Sequence, residues 1–363
     1  MSRLLRTLVD LGPRRLQRRL RYEARQRADR ALTRPLALRL AGAAGVTPPW
    51  RPALLASLPP PPLDAPPATL TFAFLQDQRQ LVWPIPWNQA DWPRLWQFHL
   101  HYFDWARSWL EQALQSGVWP AEASVLEPLL DHWIAANRPA WGDGWHSYTT
   151  ALRSRNWIWL LRCCPALVTP ARLQSLWQQL CWLQAHPEHC HGGNHWLENL
   201  TALAIGGLHF DGARAAAMQR RALALLEREL PRQILADGGH EERSASYHLL
   251  LLDRLVELAW VLQAQAASRP QWLVEGIAAM ARWASTVRLH DGSFPRFNDS
   301  AADAAPPLDL VLAFARSWLE QRPMGGRGLR DRLSQQGLVL AAVELPLPLA
   351  AEPGLATARM ADQ

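Results

Sequence analysis

The 363-residue sequence predicts an all-α fold, and two observations support this class. Outside one short stretch near residue 70, apolar residues recur at the spacing of amphipathic helices rather than strands. Alternate helices are predicted to begin near residues 91, 147, 195, 245 and 300, a loose period of about fifty residues per helix pair. Stacked antiparallel helix pairs form an α/α solenoid, and a solenoid that curls round on itself is an α/α toroid. We therefore expect parallel inner helices that begin on one face.

The chain divides into four predicted regions. Residues 1–43 form a basic amphipathic N-terminal arm, and residues 44–68 form a proline-rich linker that cannot be helical. Residues 69–320 form the helical domain, which begins with a short strand at 69–75, and residues 321–363 form a tail. Within the domain, helices are predicted at 91–115, 121–137, 147–163, 170–185, 195–208, 212–230, 245–266, 271–286 and 306–319.

Charge and composition narrow the functional classes. The 38 Lys and Arg residues exceed the 32 acidic ones, but much of the excess lies before residue 35, and the nearly neutral body argues against a nucleic-acid-binding protein. The arm is either a solvated helix or a contact for a membrane surface, nucleic acid or polyanionic sugar. The first apolar run is broken by charges, so no signal peptide is visible, and no segment has the length of a membrane span.

Aromatic and metal-binding residue types give weaker signals. The 20 tryptophans either stack on sugars or fill the core, and Trp145 and Trp196, which stand beside polar residues, are candidates for sugar stacking. The histidine-rich run from His186 to His195 has no standard zinc spacing, so we expect a polar loop and no metal.

Two glycine pairs mark the beginnings of long helical runs. Gly192 and Gly193 precede Asn194, which we expect to be the N-cap of one helix, and Ser244 is the expected N-cap of the next inner helix. His195 and Tyr247 therefore fall in first turns, where partial positive charge favours a bound anion. The other motifs also lie at the beginnings of alternate helices, whereas the intervening connections are plain. This asymmetry predicts a binding cleft on one face.

Four runs in this order resemble the heparinase II/III family of polysaccharide lyases. They are FHLHYFD at 98–104, LRSRNW at 152–157, NHWLEN at 194–199, and DGGHEERS at 237–244 followed by Tyr247 and His248. The resemblance covers roughly residues 90–300. It implies an incomplete α/α toroid and an acidic polysaccharide that contains uronic acid, such as a glycosaminoglycan, alginate or a bacterial exopolysaccharide.

The resemblance also implies β-elimination. A base removes the C5 proton of the uronate, the substrate carboxylate is neutralised, and an acid protonates the departing O4. Tyr247 is similar to the family's catalytic tyrosine, which acts as the acid and in some members also as the base; the second role would need a lowered pKa. Asn194 and His195 match the pair that neutralises the carboxylate or takes part in proton transfer. Glu198 either shares the carboxylate in its protonated form or makes a structural bond.

The remaining motif positions have two interpretations each. Arg153 and Asn156 either bind acidic groups of the sugar or make buried polar contacts. His99, His101 and Tyr102 either line a subsite or pack between helices. Four further residues are expected to brace the loops of the site, and they are His240, Glu242, Arg243 and Asp299.

The sequence departs from the family pattern after the toroid. Family members continue into a β-sandwich that supplies a further catalytic histidine and often a metal site, and the tail at 321–363 is too short for one. We therefore expect no cofactor in this chain. Without the β-sandwich histidine, the chain is either inactive alone, assisted by a separate β-sandwich chain, or reliant on Tyr247 and His195. Ala245 stands where a proline is typical. The family implies a periplasmic enzyme, whereas the missing signal peptide leaves a cytoplasmic one open.

Two other functions remain open at this point. One is a noncatalytic protein that binds carbohydrate or assists exopolysaccharide assembly and derives from such a lyase. The other is a toroidal glycoside hydrolase, which requires two opposed carboxylates. Glu198, Glu242 and Asp299 are the residues that would supply them.

Overall fold

The structure is a computed structural model that describes most of the helical region. The described residues are 3–32, 50, 58–62, 68–189, 192–264, 269–300, 305–322, 324, 328–331 and 333. Most of the predicted linker and most of the tail lie outside these residues. Among the described residues, no helix is both long enough and apolar enough to cross a membrane.

The described part of the N-terminal arm is the helix α1 (Arg3–Ala31), which packs on the helical domain. Its Arg30 Nε donates to the carbonyl oxygen of Ala140 at 2.8 Å. Residues 58–62 of the linker have no regular structure, in agreement with their prolines. They too are held against the domain, because Leu58 N–H donates to the carbonyl oxygen of Cys163 at 2.7 Å.

A hairpin precedes the helices. Strand β1 (Thr69–Phe74) confirms the predicted strand, and it pairs antiparallel with β2 (Asp77–Val82), which was not predicted. The turn residues Leu75 and Gln76 have φ of 55° and 62°, as a two-residue hairpin turn of the primed type requires. The sequence pattern does not reveal strand β2 because the strand is mostly polar and Leu81 is its one buried residue.

The helices agree closely with the predicted ranges, apart from the first. The expected helix at 91–115 is two helices, α2 (Arg94–Tyr102) and α3 (Asp104–Ser116), separated by Phe103 with φ of 62°. The fully buried Phe103 ring stacks near Trp87 and lies edge-on to Trp157, so tertiary packing outweighs the helical pattern there. The remaining helices are α4 (Leu126–Ala136), α5 (Ser147–Cys163), α6 (Pro170–Ala185), α7 (Gly193–His209), α8 (Ala213–Gln233), α9 (Ala245–Ala264), α10 (Gln271–Thr286) and α11 (Leu308–Leu319).

These helices form an incomplete α/α toroid, as the sequence predicts. Helices α5, α7 and α9 are buried along almost their whole length and pack against one another in that order. Helices α8 and α10 bury only one face, α8 against α7 and α10 against α9. The inner ring is therefore α5, α7 and α9, and the outer helices return the chain so that the inner ones share one direction. Helix α11 closes the described part by packing on α9 and α10.

Most tryptophans belong to the core of this toroid. Ten of them are among the largest fully buried side chains, including Trp145. Trp196 is also buried, with 6% of its surface exposed. The excess of tryptophan therefore reflects packing between helices, and Trp145 and Trp196 do not offer a face to a sugar.

Candidate active site

The first turns of the three inner helices meet at one end of the toroid. The Tyr148 ring in α5 stacks on the His195 ring in α7, with centroids 4.2 Å apart and planes at 28°. The loop before α9 contacts the first turn of α7 through Glu242 and Asn194. A cleft of about 480 Å³ lies here, lined by Gly192, Gly193, Asn194, His195, Glu241, Glu242, Tyr247 and Asp299. The structure thus brings together the three residues expected to be catalytic.

Helix α7 begins two residues earlier than predicted, and Asn194 is not its N-cap. The helix begins at Gly193, so Asn194 lies inside the first turn. The cap comes from another loop, because Oε1 of Glu242 accepts the backbone N–H of Asn194 at 2.5 Å. The same carboxylate accepts the Asn194 side-chain amide at 3.0 and 2.9 Å. Glu242 therefore caps α7 and fixes the orientation of the Asn194 amide.

Gly193 makes this contact possible. Its φ is +53°, and a Cβ at this position would overlap Oε1 of Glu242. Any residue other than glycine would push the carboxylate away from α7. The close approach of Glu242 therefore explains why the second residue of this pair is glycine.

Ser244 caps α9, as predicted, and a second loop supports it. Ser244 Oγ accepts the backbone N–H of Tyr247 at 3.3 Å and lies 3.0 Å from Ser300 Oγ. Asn298 Nδ2 donates to the carbonyl oxygen of Arg243 at 2.9 Å. These bonds hold the 298–300 loop against the first turn of α9, which is how Asp299 comes to line the cleft.

The half-buried Tyr247 is suited to give up a proton rather than to take one. Burial raises the pKa of its phenol, and the nearby carboxylates of Asp299 and Glu242 raise this pKa further. A tyrosine that acts as a base would need a lowered pKa, whereas this environment raises the pKa of Tyr247. Tyr247 is protonated at neutral pH, as an acid must be.

His195 is oriented by a buried carboxylate. Its Nδ1 lies 3.4 Å from both oxygens of Glu188, whose side chain is fully buried, while 39% of the imidazole surface is exposed. Burial opposes the charged imidazole, but Glu188, followed by Glu242 and Glu198, raises the pKa of His195 above its usual value. A neutral ring with its hydrogen on Nδ1 fits this contact, so Nε2 is then the proton-accepting nitrogen.

Sequence reasoning missed three residues around this imidazole. Besides Glu188, they are Tyr148, which stacks on His195, and His146, whose Nε2 lies 3.5 Å from the Glu188 carboxylate. Glu188 lies within the histidine-rich run from His186 to His195, for which the sequence predicts only a polar loop. A signal for Tyr148 was present, because it occupies the first turn of α5 as His195 and Tyr247 occupy those of α7 and α9.

The predicted sugar-binding residues Arg153 and Asn156 lie in the interior. Arg153 is fully buried; its Nε donates to Gln179 Oε1 at 2.9 Å and its guanidinium covers the Trp133 ring at 3.8 Å. Burial holds its pKa well below the usual range. Asn156 Nδ2 donates to the carbonyl oxygen of Tyr102 at 2.9 Å. Both side chains are out of reach of the cleft, so their contacts support the structural interpretation.

Glu198 also lies beneath the cleft rather than in it. It is 3% exposed, and its carboxylate lies 3.3 Å from Arg254 Nε and 3.7 Å from Arg155 Nε. These ion pairs correspond to the structural interpretation of Glu198. A carboxylate already held by two guanidinium groups is poorly placed to share the substrate's charge or to serve a hydrolase.

The three aromatic residues of the first motif divide into two groups. His101 is fully buried, accepts the Trp133 indole N–H at 3.0 Å, and has a pKa lowered to about 3 by burial and by Arg153. His99 and Tyr102 instead belong to a row of rings that ends at the cleft. Ring centroids are 4.9 Å apart between His99 and Tyr102 and 6.0 Å apart between Tyr102 and Tyr148.

His240 supports the loop that carries Glu242. Its Nε2 lies 3.0 Å from Gln233 Oε1, and its Nδ1 accepts the backbone N–H of Glu242 at 3.4 Å. Burial lowers the pKa of His240. The neutral ring can both donate and accept, so it fixes the backbone from which Glu242 reaches α7.

No metal site is evident in the part of the chain that the structure describes. No group of three or more His, Cys, Asp or Glu side chains there has the arrangement to hold a metal ion.

Comparison with known proteins gives one matching family and several similar structures. Residues 168–322 match the family described as heparinase II/III N-terminus. The structure is similar to that of heparinase III, with a TM-score of 0.50 and 21% identity over 67% of this chain and 41% of that one. It is also similar to the heparan sulfate lyase HepC from Pedobacter heparinus, with a TM-score of 0.45 and 18% identity over 62% and 37% of the two chains.

The likeness to heparinase III establishes the toroid fold, and the chain spans 41% of that protein's length. No curated protein sequence gives a significant match.

Proposed function

We propose that this chain carries the catalytic toroid of a polysaccharide lyase that cleaves a uronic-acid-containing polymer by β-elimination. The observation that carries the proposal is the convergence of Asn194, His195 and Tyr247 on one cleft. The family match and the order of the four motifs support the reaction class. The pKa shifts of His195 and Tyr247 support the assignment of base and acid.

In this proposal, the uronate carboxylate binds at the beginning of α7. The side-chain amide of Asn194 and the positive end of the helix neutralise it. Neutralisation matters because removal of the C5 proton places negative charge on the carboxyl oxygens, and a stabilised enolate lowers the barrier. Glu242 contributes by holding the Asn194 amide in place.

Proton transfer is divided between the other two residues. Nε2 of neutral His195 takes the C5 proton, and Glu188 stabilises the imidazolium that forms. Tyr247 gives its phenolic proton to O4 as the C4–O4 bond breaks and the C4–C5 double bond forms. The products are an unsaturated uronate and a new sugar hydroxyl. Exchange with solvent then returns His195 and Tyr247 to their starting states.

The spectrum of the product tests the proposal. The purified chain is incubated with heparan sulfate, alginate and an exopolysaccharide of the source organism, and the ultraviolet absorbance of the unsaturated uronate is followed. We expect turnover of at least one polymer. Tyr247→Phe should reduce the rate by about 10²–10⁴-fold, the usual contribution of a general acid, with an unchanged circular dichroism spectrum.

Two other outcomes would contradict the proposal and identify a different function. Polymer binding without any turnover would indicate a noncatalytic carbohydrate-binding protein. Release of reducing ends without an unsaturated product would indicate a hydrolase. The second outcome has a structural basis, because Glu242 and Asp299 both line the cleft.

A further inference from the structure

Helix α1 is fastened beside the loop that carries the base-orienting carboxylate. The Tyr22 phenol lies 2.9 Å from Oγ of Ser147, the first residue of α5. Oδ2 of the buried Asp29 lies 2.8 Å from Nε2 of the buried His186. His186 is two residues before Glu188, so α1 is anchored next to the segment that shapes the cleft.

The two edges of α1 differ in charge. Arg18, Arg21 and Arg25 are spaced three and four residues apart, which places them on one edge of the helix. All three are exposed, and among the described residues no carboxylate pairs with them. We call this set the basic edge of α1.

The opposite edge is largely compensated. Arg19 and Arg27 both pair with Glu23, at 3.2 and 3.4 Å. That edge therefore carries a net charge of about one, whereas the basic edge carries about three. The difference offers an anion only one favourable side of the helix.

The basic edge runs along the loop that leads to the cleft. Burial lowers the pKa of His189, and the charge of Arg18 lowers it further. Burial likewise lowers the pKa of His186 against the effect of Asp29, and Arg25 adds to the lowering. Arg18 thus lies near His189 and Arg25 near His186. Gly192, at the rim of the cleft, follows His189 by three residues.

We propose that the basic edge of α1 is an extended binding surface for the acidic polysaccharide, continuous with the cleft. This inference rests on the proposed function, since it takes the same polymer as ligand. Each guanidinium can bind a carboxylate or sulfate through two hydrogen bonds. Arg18 and Arg25 are seven positions apart, so they span about 10 Å of helix, enough to contact more than one anionic group of a polymer and too much for a single sugar.

A pair of matched double variants tests this surface. Arg18→Gln/Arg25→Gln removes two charges from the basic edge, and Arg19→Gln/Arg27→Gln removes two from the compensated edge of the same helix. On the polymer that is cleaved, we expect the first variant to raise KM by about three- to tenfold with kcat unchanged. The second should change KM by less than about twofold. On a short oligosaccharide that fills only the cleft, both should behave as wild type.

Direct binding separates this inference from the proposed function. Affinities for heparan sulfate and alginate are measured in a Tyr247→Phe background at several salt concentrations. The basic-edge variant should bind the polymer more weakly and show a smaller salt dependence than its control. Equal affinities of the two variants would overturn the inference even if the enzyme is active. Stronger binding of the Tyr247→Phe protein to anionic phospholipid vesicles than to either polymer would also overturn the inference.

Discussion

The carboxylate of Glu188 lies between two imidazoles and determines the chemistry of His195. Its charge is the main reason that the pKa of His195 lies above its usual value despite burial. His195 acts as a base only when neutral, so activity should rise with pH through this raised pKa. It should fall again only when Tyr247 loses its proton, above its own raised pKa.

Glu188→Gln should move the acidic limb of the kcat/KM profile to lower pH. The amide keeps the shape of the side chain but removes the charge that raises the pKa of His195, so a larger fraction of the imidazole is neutral at low pH. The plateau rate should nevertheless fall by about a hundredfold, because the imidazolium formed during the reaction loses its partner. Tyr247→Phe is the control, since it should lower the rate without moving this limb. An acidic limb that stays in place in Glu188→Gln would refute the role of the carboxylate.

At the scale of single residues, the sequence pointed to the cleft and to the supporting residues His240 and Glu242, but not to Glu188. Motif order placed Asn194, His195 and Tyr247 correctly, because all three are fixed by helix beginnings that glycine and serine mark. Glu188 has no such marker, since a buried charge in a loop resembles a solvated one in sequence. The motif singled out Arg153, but a local sequence pattern does not show whether a helical side chain points into the core or into the cleft.

The first turn of α7 depends on a contact that crosses between helices. Gly193→Ala should lower the free energy of unfolding by about 1–2 kcal/mol, because the added Cβ displaces the Glu242 carboxylate that caps the helix. Activity should fall as well, since the Asn194 amide loses its support. Chemical denaturation and the rate of uronate formation measure the two effects.

Gly192→Ala is the matched control for this contact. Gly192 has a φ of +68°, and a Cβ there meets nothing within 4 Å. With φ of 68° and ψ of −152°, Gly192 lies in a region that only glycine readily adopts, so alanine should cost backbone strain of about 1–3 kcal/mol, with a smaller loss of activity. If Gly192→Ala and Gly193→Ala reduced activity equally, the cap by Glu242 would not be what positions Asn194.

At the scale of elements, helical periodicity was sufficient for most of the chain. It failed where long-range packing decides the backbone, as at Phe103, whose left-handed conformation divides the first predicted helix. It failed again at strand β2, where a polar sequence is held in place by its partner strand rather than by its own pattern. Neither effect is visible in a local window, because the stabilising neighbours are distant in sequence.

The toroid as a whole encloses a buried network of charges. Glu257 is 1% exposed; its Oε2 accepts from Arg107 at 3.0 Å and Arg155 at 3.2 Å, and its Oε1 accepts the Trp159 indole N–H at 2.6 Å. These arginines lower the pKa of Glu257 to about 2 although burial opposes its charge. The network joins α3, α5 and α9 across the interior.

Glu257→Gln should lower the free energy of unfolding by about 3 kcal/mol. Two buried guanidinium groups then lose their nearest carboxylate and keep only the longer contacts of Arg107 with Glu111 and of Arg155 with Glu198. Urea denaturation followed by circular dichroism measures the loss. Asp309→Asn is a suitable comparison, since it breaks an exposed pair with Arg288 and should leave stability unchanged. A loss in Glu257→Gln no larger than in Asp309→Asn would mean that the network does not stabilise the toroid.

The whole molecule should also be sensitive to acid. Burial lowers the pKa of His101 to about 3 and that of His248 to about 4, with Arg153 and His240 respectively adding to the effect. The unfolded chain binds these protons near pH 6.5 and the folded chain does not. The stability that the neutral rings contribute is therefore present above about pH 6.5 and decreases as pH falls toward 4.

Melting temperatures between pH 7 and 4 test this expectation. His248→Gln should flatten the acid side of the curve, because glutamine can still donate to the Met280 carbonyl that now lies 3.0 Å from Nε2. An equally steep curve in His248→Gln would show that this histidine does not control the acid response.

The docking of α1 also constrains the order in which the molecule assembles. Its partners Ala140, Ser147 and His186 follow their α1 contacts by 110, 125 and 157 residues. At a synthesis rate of about 5–20 residues per second, the helix is made roughly 5–30 s before the surface that receives it exists. The first described helix of the chain is therefore among the last to find its native contacts. A nascent chain that stalls before residue 186 would therefore expose the arginines of α1 before the surface that α1 packs against is complete.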